Sequence, residues 1–477
     1  MDHDLIVIGG GAAGLGALRA ALWAKADVAL ITDSPPGGDC TFTGCVPSKT
    51  LLAGLNDGLD FGTAMARVRS TVADFAARES FEVLRKAGVT VIEGRARLVT
   101  HDTVAVDQRR ITAPRMIIAT GSKPAMPEIP GLTQAQPLTS NNVFDLNEAP
   151  ASVGIVGAGA TGCEMAHAFA SAGTKVTLLE SQSQILPEVE TEAAEVIRNA
   201  LERLSVTVLT DTRAERVTAA TPDQEIPNRG SQAQATAGQK ITVQTSRSDR
   251  STSPKLTEPL ICDRLLVAAG RVPCSNDLGL EELSIKLDAQ GHLITNDRMM
   301  TSLRSIYAAG DVTGRVLLSH AADEMGRIAA GNALGKAAGG RFHNAETPRV
   351  VFTAPEVASV GVNRSQAPVG SRVAYLPLTE VDRAVIEQRT EGFICLVAGP
   401  RRWLRNTGGG QILGATIVAP RAGEMISEVV LAMRTKAFAG RLAQASHAYP
   451  TWSNGVQKAA AQFFGEIDGR QASVVSG

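Results

Sequence analysis

Two stretches of this chain repeat one design, and that repetition limits the folds open to it. Asp4-Leu-Ile-Val-Ile8 is a continuous apolar run, as expected of a strand buried on both faces of a parallel sheet. Gly9-Gly-Gly11-Ala-Ala-Gly14 follows, then an alanine-rich helix to about Lys25 and a second strand from Val28 to Ile31. In the second copy Ser152–Val156 is the strand, Gly157-Ala-Gly159-Ala-Thr-Gly162 the turn and Cys163–Ala172 the helix. A strand Val176–Leu179 then ends on Glu180. The three glycines serve the tight turn, the close approach of backbone to a pyrophosphate, and the packing of helix on strand. An acid ending the second strand is placed to hold a ribose. Glu180 fills that position in the second copy; in the first, Thr32 takes the usual place and Asp33 is the candidate. Glu180 suits a ribose 2′-hydroxyl, and Ser181, Gln182 and Ser183 bring no arginine for a 2′-phosphate. NADH is therefore expected over NADPH. Two complete units imply two dinucleotide sites.

The chemistry is expected between them, in Gly37-Gly-Asp-Cys40-Thr-Phe-Thr-Gly-Cys45-Val-Pro-Ser-Lys49. Pro47 suits the first turn of a helix, where a missing N–H costs nothing, and the apolar run from Thr50 to Leu55 continues it. Cys45 then lies at a helix N-terminus, whose positive end favours a thiolate. Five extended residues would span ~17 Å, whereas bridged Cα atoms lie ~4.4–6.8 Å apart. The chain must fold back between the cysteines, and Gly44 permits it. Lys49 falls on the same helical face one turn later. A purely structural disulfide is disfavoured in a chain with no mark of secretion, and a zinc site lacks its second pair of ligands. A redox dithiol with a cation close by remains. The other four cysteines, 163, 262, 274 and 395, stand among small or apolar neighbours and are expected to be buried and inert.

Length and charge bound the rest. A chain of 477 residues needs several domains. With 47 Lys+Arg against 48 Asp+Glu it carries no electrostatic footprint for nucleic acid. No signal peptide is visible, and the longest apolar tract, Leu5 to Ile31, is broken by glycines and carries Arg19, Lys25 and Asp27. No membrane partner and a cytoplasmic location are expected. Residues 60–88 read as helical, and strands near Val89–Ile92 and Thr103–Val106 as an excursion. Arg115–Gly121 and Arg264–Gly270 read as buried strands ending on glycines that face cofactor, and Ile306–Asp311 sets an aspartate at a strand end. Gln/Ser/Thr/Pro-rich stretches, Ala219–Gly238 and Ser246–Thr257, read as solvated loops around a strand Lys240–Gln244. From about Thr347 the pattern changes to strands Arg349–Thr353, Val373–Leu376, Phe393–Val397 and Ile412–Val418 with two helices. The expected class is α/β: two Rossmann-like dinucleotide-binding domains plus a C-terminal α+β dimerisation domain. Its divisions are residues 1–148, 149–271, 272–345 and 346–477.

Two glycine-loop units, the Cys-x4-Cys-Val-Pro-Ser-Lys run and Ala309-Gly-Asp311 together resemble the flavin-dependent pyridine-nucleotide disulfide oxidoreductases. The resemblance covers nearly the whole chain. It implies that Gly9, Gly11 and Gly14 hold FAD with Asp311 on its ribitol side, and that Gly157, Gly159, Gly162 and Glu180 hold the nicotinamide cofactor. It further implies that Cys45 contacts the flavin, that Cys40 exchanges with substrate, and that Lys49 pairs with Glu164 beside the flavin. No resident metal is implied; a homodimer is. Near the C-terminus the disulfide reductases of this family carry His-Pro-Thr-x-x-Glu, where this chain reads Tyr449-Pro-Thr-Trp-Ser-Asn454. Tyrosine stands for the acid–base histidine and asparagine for its orienter. A phenol of pKa ~10 does not serve as a base at neutral pH, and His447 lies two residues away. The mercuric reductase branch has a tyrosine there, but the last residues, Gly465–Gly477, lack the cysteine pair of that branch. The expected activity is passage of electrons from NADH through flavin and Cys40–Cys45 to a small-molecule or metal-ion acceptor. The alternatives are a dihydrolipoamide dehydrogenase and a flavoprotein redox sensor that does not turn over.

Overall fold

The strand Leu5–Ile8 is completely apolar and buried, and it sits at the middle of a five-stranded sheet. The strand order is Ile306–Ala308, Met116–Ile118, Leu5–Ile8, Val28–Thr32 and Thr90–Glu93, all neighbours parallel. In this computed structural model, residues 1–219, 240–247, 255–256, 258–335, 340–400 and 406–476 are described. The chain divides into two compact units: residues 1–126, 139–148 and 270–344 in the first, and 127–138, 149–269 and 345–477 in the second.

In the first unit the helix Ala12–Trp23 leaves the glycine turn and lies against a second helix, Ser319–Ala333. Glycines allow the close crossing: a Cβ on Gly326 would stand 2.0 Å from the Ala13 carbonyl oxygen. That contact fixes where the Ser319 end of the second helix points. The helices Phe61–Arg78 and Phe81–Lys86 occupy the stretch read as helical. The strand near Val89–Ile92 is not part of an excursion. It forms Thr90–Glu93 at the edge of the main sheet, paired with Val28–Thr32. Only Ala96–Leu98, Thr103–Val106 and Arg109–Thr112 form a separate antiparallel sheet.

The second unit holds a four-stranded parallel sheet, ordered Thr207–Leu209, Lys175–Leu179, Ser152–Val156 and Arg264–Val267. Residues 127–138, expected with the first division, belong here: Leu138 N–H donates to the Leu265 carbonyl and Leu132 packs with Leu179 and Val217. The expected strand at Lys240 runs Ile241–Arg247. Most of the two polar loops flanking it lies outside the described residues. The C-terminal part is a six-stranded antiparallel sheet of Arg349–Val351, Glu356–Gly361, Gln411–Ala419, Phe393–Gly399, Arg372–Pro377 and Ser473–Val474. Its apolar face is covered by the helices Ala422–Arg434 and Asn454–Ala461, with Ile394, Ile417, Val429 and Val456 completely buried. Glu356–Gly361 escapes a sequence reading because a glutamate, a serine and a terminal glycine interrupt its apolar alternation. Among the described residues no helix is long and apolar enough to cross a membrane.

Candidate active site

The two glycine loops have the same internal packing. Gly9 and Gly157 have φ of +105° and +100°, and a Cβ would meet the Ala119 oxygen at 2.3 Å or the Ala268 oxygen at 2.5 Å. A Cβ on Gly14 or Gly162 would stand 1.9 Å from the carbonyl oxygen of the loop's own first glycine. The middle glycine differs. A Cβ on Gly11 would come no nearer than 3.9 Å to Gly38 Cα, and one on Gly159 would touch nothing within 4 Å. These residues cap the helices Ala12–Trp23 and Ala160–Ser171 without a side-chain hydrogen bond. Each loop thus keeps open space beside the free N–H groups of a helix start, as a pyrophosphate requires.

The acids at the two strand ends are not equivalent. Leu179 pairs with Val156, and Glu180 follows it, buried. Its carboxylate accepts from the Ala158 and Gln182 N–H groups, both at 2.9 Å, and from Ser181 Oγ at 3.2 Å. In the first unit Ile31 pairs with Ile8, so Thr32 occupies the place Glu180 has in the second. Thr32 is buried and its hydroxyl bonds the Ser34 backbone. Asp33, one residue on, is exposed and accepts from Arg95 Nε at 3.1 Å. A strand reverses its side-chain direction at every residue, which is why one step outward moves this acid to the surface.

The dithiol segment packs on the first glycine loop. Gly37 N–H donates to the Gly10 carbonyl, and Gly38 meets Gly11. Cys40 lies in the short helix Gly38–Phe42, and Cys45 is the first residue of the helix Cys45–Asn56. Gly44 is needed between them, since a Cβ there would stand 2.7 Å from the Asp39 carbonyl oxygen. The Cys40 thiol is half-buried and the Cys45 thiol exposed. A hydrogen bond with Cys45, then burial, pushes the Cys40 pKa far upward, and Glu79 adds to it. Cys40 therefore holds its proton more tightly than an ordinary thiol. Cys45 Sγ also lies 3.3 Å from the hydroxyl of Ser319, the first residue of the helix Ser319–Ala333. Lys49 follows one turn along the Cys45–Asn56 helix.

A polar chain adjoins this segment. Asp311 accepts from Ser122 Oγ at 2.7 Å and pairs with Arg271 Nε at 3.6 Å. Arg271 also donates to Ser122 Oγ at 2.6 Å and to Asp39, the residue preceding Cys40. Burial pushes the Asp311 carboxyl up, against the pull of Ser122 and Arg271. Gly121 and Gly270, with φ of +71° and +105°, leave open space where a Cβ would point. They precede the strands Ser122–Pro124 and Arg271–Pro273, which pair with each other. Arg271, Ser122, Asp39 and Ser319 are not legible as site residues in the sequence. Its one signal is the placing of Ser122 and Arg271 directly after the two strand-end glycines.

Of the remaining cysteines, 163, 262 and 395 are buried as expected, with burial raising each thiol pKa. Cys274 is an exception, only half-buried because it lies beside Gly121 at the edge of this site.

In the second unit, Glu164 is buried on the helix Ala160–Ser171 and accepts from the Phe352 N–H at 3.0 Å. Tyr449 is 70% exposed. Its hydroxyl bonds Asp382, which raises the phenol pKa. Asn454 does not orient it; the Asn454 amide donates to Gln457 Oε1 at 2.9 Å. His447 is held at both ring nitrogens, Nε2 by Glu428 at 2.8 Å and Nδ1 by the Ala445 carbonyl at 2.9 Å. Burial opposes its charge, but these two bonds raise its pKa overall. Both ring nitrogens are thus engaged within this chain.

The paired nucleotide cradles and the dithiol at a helix start define a flavoprotein disulfide reductase framework. Residues 3–326 match the family described as pyridine nucleotide-disulphide oxidoreductase, and residues 347–460 match its dimerisation domain. The mercuric reductase of Bacillus cereus is 29% identical over 482 residues, 97% of this chain and 72% of that protein. The dihydrolipoyl dehydrogenase of Chlamydia pneumoniae is 30% identical over 481 residues, 95% of each. Among solved structures, a Cu(II) complex of the HOCl-induced flavoprotein disulfide reductase RclA from Escherichia coli superposes with a TM-score of 0.82 at 26% identity. It covers 97% of this chain and 99% of its own. LpdA from Mycobacterium tuberculosis gives 0.81 at 28% identity, covering 96% and 99%. The chain belongs to the pyridine nucleotide-disulphide oxidoreductases, enzymes that use FAD and NAD(P)H.

Proposed function

We propose that this enzyme takes electrons from NADH and delivers them through Cys40 and Cys45 to a thiophilic metal ion. The observation that carries this reading is the tail of the second unit. It offers an exposed phenol and a histidine bonded on both sides, and neither is free to act as a base. Exchange with an organic disulfide needs a proton returned to the leaving thiolate, whereas a soft cation needs sulfur ligands. A mercuric reductase and a Cu(II)-bound reductase among the similar proteins support the same choice.

Gly9, Gly11, Gly14, Gly121 and Asp311 would hold FAD, with Asp33 limited to an outer contact by its exposure. Gly157, Gly159, Gly162, Gly270 and Glu180 would hold NADH; Glu180 is anchored by two N–H groups and the Ser181 hydroxyl and has a lone pair on Oε2 left for a ribose hydroxyl. Bound FAD supplies the two-electron link between hydride from NADH and the Cys40–Cys45 disulfide. Lys49, one turn beyond Cys45, would supply the positive charge beside it. Cys45 carries the thiolate and Cys40 reaches the acceptor. In a homodimer built by the C-terminal domain, the exposed Tyr449 would face the partner subunit with its hydroxyl hydrogen engaged by Asp382.

NADH oxidation by the purified protein, with Hg(II) in excess thiol beside lipoamide and glutathione disulfide, tests the reading. Metal-dependent turnover that disappears in Cys40→Ala supports it. Brisk lipoamide turnover with none on metal overturns it in favour of a dihydrolipoamide dehydrogenase.

A further inference from the structure

The dithiol has a third polar atom beside it. Ser319 Oγ lies 3.3 Å from Cys45 Sγ, and its hydrogen bond also lowers the Cys40 pKa. Its position is imposed by the close crossing of its helix with Ala12–Trp23, which aims the first turn at the Cys45–Asn56 helix start. The hydroxyl is not used in capping its own helix: Leu318 is the cap, and no side-chain bond closes that terminus. A serine hydroxyl has one hydrogen and rotates freely, so it donates to one sulfur at a time.

We propose that the Ser319 hydroxyl is the switchable hydrogen-bond donor that decides which sulfur of the dithiol carries the negative charge. Turned toward Cys45, it stabilises the Cys45 thiolate while Cys40 holds the proton. Turned toward Cys40, it stabilises the thiolate that attacks the acceptor. In that step the Cys40 S–H bond breaks and a Cys45 S–H bond forms along the existing hydrogen bond between the sulfurs. No electron moves and no proton leaves the pair. The role of Cys40 as attacking sulfur rests on the function proposed above, in which no external base serves the dithiol.

The surroundings fit a device of this kind. Glu79, which accepts from Thr41 Oγ1 at 2.9 Å, disfavours charge on Cys40. Asp39 is paired with Arg271. Two helix N-termini favour charge near Cys45. One rotatable donor near two competing sulfurs can shift that balance.

Alkylation of phosphine-reduced, FAD-loaded protein by iodoacetamide between pH 5 and 10 tests the proposal, with Cys40 and Cys45 scored separately by mass spectrometry. Loss of a donor to a charged sulfur is expected to raise the Cys40 midpoint by about one pH unit or more. Ser319→Ala should accordingly slow Cys40 alkylation about tenfold at neutral pH. Ser319→Thr, which keeps the hydroxyl, should restore it. Ser319→Gly, a second hydroxyl-free variant, should match the alanine variant and serves if that one folds poorly. A wild-type profile in the hydroxyl-free variants overturns the proposal, and so does a threonine variant as slow as alanine. The assay uses neither NADH nor an acceptor, so an error in the acceptor assignment leaves its result standing.

Discussion

The contrast between the three glycines of the second loop gives a quantitative prediction. Gly159 has φ −71° and ψ −171°, which alanine adopts without strain, and a Cβ there meets nothing within 4 Å. Gly159→Ala gains about 0.4–1 kcal/mol by restricting the unfolded chain. It loses a comparable amount because alanine is a poorer N-cap than glycine. Stability should stay within about 1 kcal/mol of wild type, a change of about 2–4 °C in Tm or less. NADH binding should respond differently, because the added methyl fills the space beside the helix N–H groups. Each hydrogen bond from such a group to a charged oxygen contributes about 1.5–3 kcal/mol. The loss of one raises Kd about 10- to 100-fold. Gly162→Ala is the opposite case: its Cβ would lie 1.9 Å from the Gly157 carbonyl oxygen, and the fold should lose several kcal/mol. Thermal melts and NADH fluorescence titrations of both variants decide the matter. A folded Gly159→Ala protein with wild-type NADH affinity would refute the assignment of that space to the pyrophosphate.

Single contacts elsewhere set further expectations. Glu180→Gln should weaken NADH binding about tenfold while narrowing the preference over NADPH, as read from kcat/KM for each. Arg271→Gln removes the bonds to Ser122, Asp39 and Asp311 together, and should lower FAD retention on a desalting column. His447→Gln should leave acceptor turnover within about twofold, because both ring nitrogens are already bonded; a loss above about tenfold would reinstate His447 as the proton donor. The His447 pKa is raised on folding, so its stabilisation is complete below the unfolded value of about 6.5 and fades as pH rises through the folded one. The Tm difference between wild type and His447→Gln should therefore be largest near pH 6 and shrink toward pH 9.

Where local chemistry sets the structure, the sequence is readable. Pro47 and the run to Leu55 announce the helix that begins at Cys45, and the glycine spacing announces both nucleotide loops. Continuous apolar strands such as Met116–Ile118 are equally plain, since burial on both faces leaves no polar position. What stays hidden has a common cause in partners far away in the chain. Thr90–Glu93 is exposed at two of four positions, so nothing local marks it as a strand of the main sheet. Charge favours Asp33 over Thr32, but the pairing of Ile31 with Ile8 decides which residue points inward. Ser319 reaches Cys45 across 274 positions of chain, and Arg271 reaches Asp39 across 232. His447 finds its carboxylate at Glu428 on a helix, not in the motif that follows it.

We propose that electrons from NADH reach the acceptor through Cys40 and Cys45. Steady-state NADH oxidation with Hg(II) in excess thiol, run on wild type and Cys40→Ala with matched FAD content, tests it most directly. Metal-dependent turnover is expected in wild type and its loss in the variant, with NADH still able to reduce the bound flavin in both. Metal-dependent turnover undiminished in Cys40→Ala would contradict it and place the acceptor elsewhere on the protein.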